Sequence, residues 1–351
     1  MSRWMTFMPA PVIMTGYSPA RQLATRIVYD QRADIPVKTS QASSRKVQGH
    51  TVGLTVMTLI ILVIAFWMSR QSSLLQMSTS NELPYVIPAL DGFLSNAWFL
   101  PDDDMLGFVE IPAGSFIMGS NPVIDRSAYE NERWSNLSRQ GSVDLPVFYI
   151  SRFETTVAQF FAFAEDTELT GYSIGTNVSG NYPITGVTWP EALAYGRWLE
   201  RRLRESPTTP PAIRQLLNNG GRVTLPSEAE WEKAARGTDG RVFTWGSQSQ
   251  TGFSNFNADS ISPVGSFSCP GCAHGLSDMA GNVWELTRSP LQDYPYDPAD
   301  DAADLTKDAL YVMRGGSYTD AMNNVRTAVR GAVDPGVRTD NIGFRVVISE
   351  L

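Results

Sequence analysis

Hydrophobic and polar positions change character several times along the chain. From Met1 to His50 apolar residues are scattered with neither a helical nor a strand period, and Pro9, Pro11, Pro19 and Pro36 interrupt them, so this stretch reads as a tail. Residues 51–69 are uncharged throughout and are bounded by Arg45, Lys46 and Arg70. A helix over these 19 residues, at 1.5 Å each, reaches about 28 Å, enough to cross a hydrocarbon core. Such a run shows no polar face of the kind a buried core helix keeps. The pattern therefore predicts a tail over 1–50, a transmembrane helix over 51–69, a connector over 70–106 and a globular domain over 107–351.

The connector begins polar at Gln71 and turns apolar over 83–88 and 93–100, with Trp98 and Phe99 among its aromatics. A free linker does not carry so much aromatic surface, so it is expected to pack on the domain, on a membrane surface or on another subunit. Phe108 then opens a short strand and turn. Capping boxes at Thr156-Val-Ala-Gln159, Thr188-Trp-Pro-Glu191 and Ser227-Glu-Ala-Glu230 predict three helix starts, the second with Pro190 in its first turn. After Thr188 the helical period places Ala194, Trp198, Leu199 and Leu203 inward and Arg197, Arg201, Arg202 and Arg204 largely outward. Few helices among Gly, Pro, Asn and short β-like runs suit an α+β fold. The stretch from Gly275 to Leu286 holds Asp278, Gly281, Asn282, Trp284 and Glu285, too polar for a core strand and too Gly-interrupted for a helix. It reads as a buried, folded-back loop whose peptide groups need partners, and carboxylates beside free carbonyls suit a hard cation, calcium first.

Charge divides the chain in the same places. The tail has seven basic residues against two acidic ones, while 20 basic face 34 acidic residues after Arg70, within a net charge of −8. An acidic domain argues against nucleic acid as a partner. Basic residues before the apolar run set the tail in the cytoplasm and the domain in a periplasmic or extracellular space, with Phe66 and Trp67 at the outer interface. Two histidines and two cysteines are too few soft ligands for zinc or haem, whereas calcium needs only oxygen. Cys269-Pro-Gly-Cys272 leaves open a redox pair, a loop disulfide or two quiet thiols. The sequence around it shows neither a helix start nor a basic neighbour, and an extracytoplasmic place favours the disulfide.

Several stretches together resemble one family. They are Phe108-Val-Glu-Ile-Pro-Ala-Gly-Ser-Phe-Ile-Met-Gly-Ser120, residues 182–192, residues 222–237, the Gly275–Leu286 stretch, Arg314-Gly-Gly-Ser-Tyr318 and Gly343-Phe-Arg345. In this order they resemble the signature of the formylglycine-generating enzyme, or sulfatase-modifying-factor, family. The resemblance implies a C-type-lectin-like α+β fold. It also implies a pocket in which two cysteines, five residues apart and directly after Gly-Gly-Ser-Tyr, hold copper and oxidise a substrate cysteine to formylglycine.

Here those two positions carry Asp320 and Val325. A carboxylate is a hard ligand and valine none, so no copper and no catalytic residue are expected. Trp284 and Ser317 match residues lining the family's pocket, and with Asp320 and Val325 they are its remnants. By match to the family's calcium motif, Asp278 and Glu285 would supply side-chain oxygens and Gly281 and Val283 backbone carbonyls. A second family calcium site, which only Asn255-Phe256 resembles, is expected to be lost.

The functional expectation is a non-catalytic, membrane-anchored structural or docking subunit of a larger membrane complex, photosynthetic or respiratory. Tail, membrane helix and connector would engage other subunits and the lipid bilayer. An enzyme with other chemistry in the same pocket, and a lectin-like receptor for a peptide or sugar, are the alternatives.

Overall fold

Each of the three capping boxes starts a helix in the computed structural model, because a box is satisfied by backbone groups within one turn. The helices are α1 (Val157–Asp166), α2 (Trp189–Glu205) and α4 (Glu228–Arg236), while α3 (Pro211–Asn218) starts at a proline pair without a box. At α1 the Thr156 hydroxyl accepts the Gln159 N–H at 3.3 Å and the Gln159 side chain accepts the Thr156 N–H at 2.8 Å. Ser227 and Glu230 repeat the exchange at 3.1 and 2.7 Å, and Glu191 accepts the Thr188 N–H at 2.9 Å. Along α2, Trp198, Leu199 and Leu203 are buried as the period predicts, and Arg197, Arg201 and Arg204 are exposed. Ala194 is only half-buried, since Leu193 and Tyr195 take the core face beside it.

The structure describes residues 89–135, 140–169, 179–301 and 309–350, together with Met57, Ile60, Ile61 and Val63. The chain forms two units, 1–83 and 84–351. In the first, the four described residues are helical and exposed, and the tail and the rest of the 51–69 span lie outside the described residues. Among the described residues no helix is long and apolar enough to cross a membrane.

The second unit is α+β. Strands β3 (Phe108–Ile111), β6 (Phe148–Ser151), β7 (Arg222–Thr224) and β12 (Val347–Ser349) form an antiparallel sheet in the order β3-β6-β12-β7. A second sheet runs β10-β9-β8-β11, from Arg330–Val333, Tyr311–Arg314, Trp284–Pro290 and Ile342–Gly343, with β8 and β11 parallel. Strands β4 (Gly114–Met118) and β5 (Gly141–Leu145) make a hairpin-like pair. An aromatic core joins α1 and α2 to the chain end, with Phe160, Phe163, Tyr195, Trp198 and Phe344 at ring separations of 5.2–6.2 Å.

Of the three places open to the connector, its described part takes the domain. Strands β1 (Phe93–Leu94) and β2 (Leu100–Pro101) pair with each other, Trp98 packs edge-on against Trp198 at 6.2 Å, and Phe93 meets Phe153 at 6.2 Å. Trp98 and Phe99 both hold positive φ, 55° and 57°, a conformation that bulky residues keep only when packing fixes it. One such contact is the Gln159 amide donating to the Phe99 carbonyl at 3.0 Å.

The predicted loop from Gly275 to Leu286 needs a correction at its end. Residues 276–283 form a loop, but Trp284, Glu285 and Leu286 begin β8. All seven residues of β8 are buried although Glu285, Thr287, Arg288 and Ser289 are polar, because each polar side chain finds a partner from another element.

Buried ion pairs fasten α4 to the second sheet. Arg314, fully buried in β9, donates to Glu228 at 3.1 Å and Glu232 at 2.5 Å. Glu228 also receives Arg330 of β10 at 2.6 and 2.8 Å, and Glu232 receives the Gly119 N–H and Arg236, each at 2.9 Å. Removing one partner from such a network leaves a buried charge uncompensated. Arg314→Met should therefore lower unfolding free energy by about 3–5 kcal/mol in urea denaturation, and a loss below about 1 kcal/mol would mean that the network behaves like a surface pair.

Candidate functional site

The loop at 276–283 is stitched into the domain by its own backbone. Leu276, Met279, Ala280 and Val283 are buried, and Asp278, Gly281 and Asn282 turn the chain with φ of 59°, 72° and 60°. At Gly281 a Cβ would lie 2.2 Å from the Asn255 carbonyl oxygen, so no side chain fits there. The Gly281 N–H donates to Gly315 at 2.8 Å, the Asn282 N–H to Asn255 at 2.7 Å, and the Tyr318 N–H to the Asn282 carbonyl at 2.9 Å. The Gly-Asn turn is thereby joined to the Arg314–Tyr318 turn.

The side chain of Asn282 is the knot of the loop. Its amide nitrogen donates to Glu154 at 2.9 Å, and its oxygen accepts from Asn255 at 3.1 Å and from the Ser262 N–H at 2.9 Å. Asn255, which resembles a remnant of a second calcium site, thus serves the loop as a hydrogen-bond partner. Glu154 is a residue that sequence reasoning missed, and no local signal marks it, since Asn282 is 128 positions away.

Glu154, Asp278 and Glu285 surround a single guanidinium, that of Arg345. Arg345 grips both oxygens of Glu285, each at 2.6 Å, and Trp231 donates to the same carboxylate at 2.7 Å. Asp278 accepts the Gly265 N–H at 2.6 Å. Burial, then the charges of Asp278 and Glu285, pushes the Glu154 carboxyl well above the usual range. Burial likewise raises Asp278 to about 6, against the Gly265 hydrogen bond and the Arg345 charge. Among the described residues no three acidic, histidine or cysteine side chains group as metal ligands, and the Glu285 carboxylate is turned to Arg345. Three acids thus face one guanidinium, and burial relieves part of that charge by favouring the protonated carboxyls of Glu154 and Asp278.

The pocket remnants assemble next to this loop. Asp320 accepts the Trp284 indole N–H at 2.9 Å, the Ser317 N–H at 2.9 Å and the Ser317 hydroxyl at 2.8 Å on one oxygen, and the Asn324 amide at 2.8 Å on the other. Val325 is fully buried in a small apolar cluster with Val242, Phe243 and Ala280. Trp284, Ser317 and Asp320 are thus directly joined, while Val325 faces the core. Asn324 is a second partner that the sequence did not reveal. From the rim, Tyr129 donates to Asn324 at 2.8 Å, and Arg326 pairs with Asp125 at 2.5 Å and Glu132 at 2.7 Å. The arrangement is a closed hydrogen-bonded floor with no thiolate and no unengaged carboxylate oxygen on Asp320.

Cys269 and Cys272 form a disulfide three positions apart. The tertiary structure corrects the view that this turn lacks a basic neighbour. Arg241 donates to the Gly271 carbonyl at 2.8 Å, and a single 3-10 turn, Ala273–Gly275, follows Cys272.

Residues 100–350 match the model of the sulfatase-modifying factor enzyme 1-like domain. A formylglycine-generating enzyme of Streptomyces coelicolor is 34% identical over 47% of this chain and 52% of its own length. The inactive C-alpha-formylglycine-generating enzyme 2 of Bos taurus is 31% identical over 47% of this chain and 49% of its own. The chain spans about half the length of these curated relatives. Among solved structures, PvdO from Pseudomonas aeruginosa shares 25% identity at a TM-score of 0.54, covering 70% of this chain and 94% of PvdO.

The Asp320 carboxylate holds four donors, which would lose their acceptor in Asp320→Ala. The variant should lose about 2–4 kcal/mol of stability, followed by tryptophan fluorescence in guanidinium. A change under about 0.5 kcal/mol would show that the floor does not depend on Asp320.

Proposed function

We propose that this protein, which belongs to the sulfatase-modifying factor family, is a non-catalytic member that serves as a structural or docking subunit of a membrane complex, anchored by residues 51–69. The observation that carries this reading is the carboxylate of Asp320, engaged on both oxygens by Trp284, Ser317 and Asn324 where a copper-binding thiolate would have to stand. Copper(I) requires soft ligands, and Val325 at the partner position is buried and offers none. The bovine relative named as inactive supports the same direction.

Anchoring is supported by Met57, Ile60, Ile61 and Val63, four apolar side chains 52–65% exposed on a helical segment. Apolar surface of that kind calls for lipid or a partner. The basic tail then lies in the cytoplasm and the acidic domain outside it. An enzyme with other chemistry is the second reading, favoured by Trp284 and Ser317, which keep their places in the pocket.

A calcium ion belongs to the proposal through the charge of the buried loop. The Asp278 side chain and the carbonyls of Gly281 and Val283 would hold it, while Glu285, kept by Arg345, contributes field rather than a ligand atom. The ion would neutralise the carboxylates and fix the turn.

Two experiments test these statements. Full-length protein extracted in mild detergent should migrate with companion subunits and, supplied with copper and a cysteine-containing sulfatase peptide, produce no formylglycine by mass spectrometry. A lone monomer that forms formylglycine above a no-protein control would overturn the reading. For the ion, a ligand at a hundredfold excess over Kd adds about 2.7 kcal/mol, so a chelator should lower the melting temperature. If chelator changes nothing and Asp278→Asn melts alike, hydrogen bonds alone hold the loop.

A further inference from the structure

We propose that the Cys269–Cys272 disulfide is a thiol–disulfide exchange site for a dithiol reductant, and that the fold does not need it as a clamp. The bond joins residues three apart within one turn and ties no two elements together. Closing so short a loop restricts the unfolded chain least.

The turn is already held by its own backbone. Cys272 N–H donates to Cys269 at 3.0 Å, Ala273 N–H to Thr244 at 3.2 Å and Leu276 N–H to Ala273 at 3.2 Å. The chain is pinned on both sides, before it by Gly265 on Asp278 at 2.6 Å and after it by Ser277 N–H on Arg152 at 3.1 Å. Opening the sulfur bridge leaves each of these contacts in place.

Access and charge favour exchange. Pro270 and Gly271 are exposed and both cysteines are half-buried. Arg241 sits against the Gly271 carbonyl between the two cysteines, and its charge favours a thiolate there. Asp239, bound to the same guanidinium at 2.9 and 2.7 Å, offsets part of that charge from an exposed position. Behind partial burial, the charges of Arg241 and Lys233 hold the nearby His274 imidazole below its ordinary value.

The reaction is balanced as follows. A partner thiolate attacks one sulfur and forms a mixed disulfide, and the other cysteine leaves as a thiolate and takes up a proton. The partner's second thiol, deprotonated, then displaces the mixed disulfide and releases the remaining cysteine. The partner dithiol becomes a disulfide, and Cys269 and Cys272 gain two electrons and two protons.

The test uses the full chain in mild detergent. In glutathione mixtures of rising reduced-to-oxidised ratio, followed by N-ethylmaleimide and mass spectrometry, an exchanging site passes from no label to two labels per chain, while near-UV circular dichroism stays constant. Dithiothreitol should give the same two labels without unfolding, and Arg241→Gln should slow the reaction. The C269S/C272S variant should keep the wild-type dichroism and take no label. Labelling only at denaturant concentrations that unfold the chain, a C269S/C272S variant that fails to fold, or an unchanged rate in Arg241→Gln would overturn the proposal.

Discussion

The pair of Arg345 and Glu285 is the interaction on which the rest of the domain depends. Both groups are completely buried, and a charge in that position persists only when its partner and its remaining hydrogen bonds are supplied together. Glu285 supplies two acceptors, and the carbonyls of Ser151, Arg152 and Ser277 take the other guanidinium donors at 3.0 Å. One side chain from the end of the chain therefore fixes the end of β6, the start of β8 and the loop that precedes it. Trp231, donating to Glu285 from α4, brings the helix to the same point.

Around this pair the structure gathers more negative charge than it neutralises. Glu154 and Asp278 stand beside it with raised carboxyl affinities for protons, while Arg314, Arg326 and Arg330 are engaged with other acids. The loop is thus a structural keystone, tied to the Arg345 guanidinium through Ser277 and to the turn after β9 through Gly281.

The neighbouring pocket is built around the carboxylate of Asp320. Trp284 and Ser317 are placed by β8 and by the turn after β9, and both donate to the carboxylate at position 320. That carboxylate accepts four hydrogen bonds, and with them satisfied the buried floor is held together.

The sequence by itself determined what short-range rules can specify. Capping boxes at Thr156, Thr188 and Ser227 marked helix starts because both partners lie within three residues, and the period after Thr188 assigned the buried face of α2. The motif order identified the family. Only the tertiary structure decided where charges find their partners: Arg345 on Glu285, 60 positions away, Asn282 on Glu154, 128 away, and Arg241 on Gly271, 30 away. It also made a fully buried strand of the polar Trp284–Pro290 and packed Trp98 on Trp198. Polar residues carry no periodic mark of burial, since what allows them inside is a partner brought by the fold rather than anything in their neighbours along the chain.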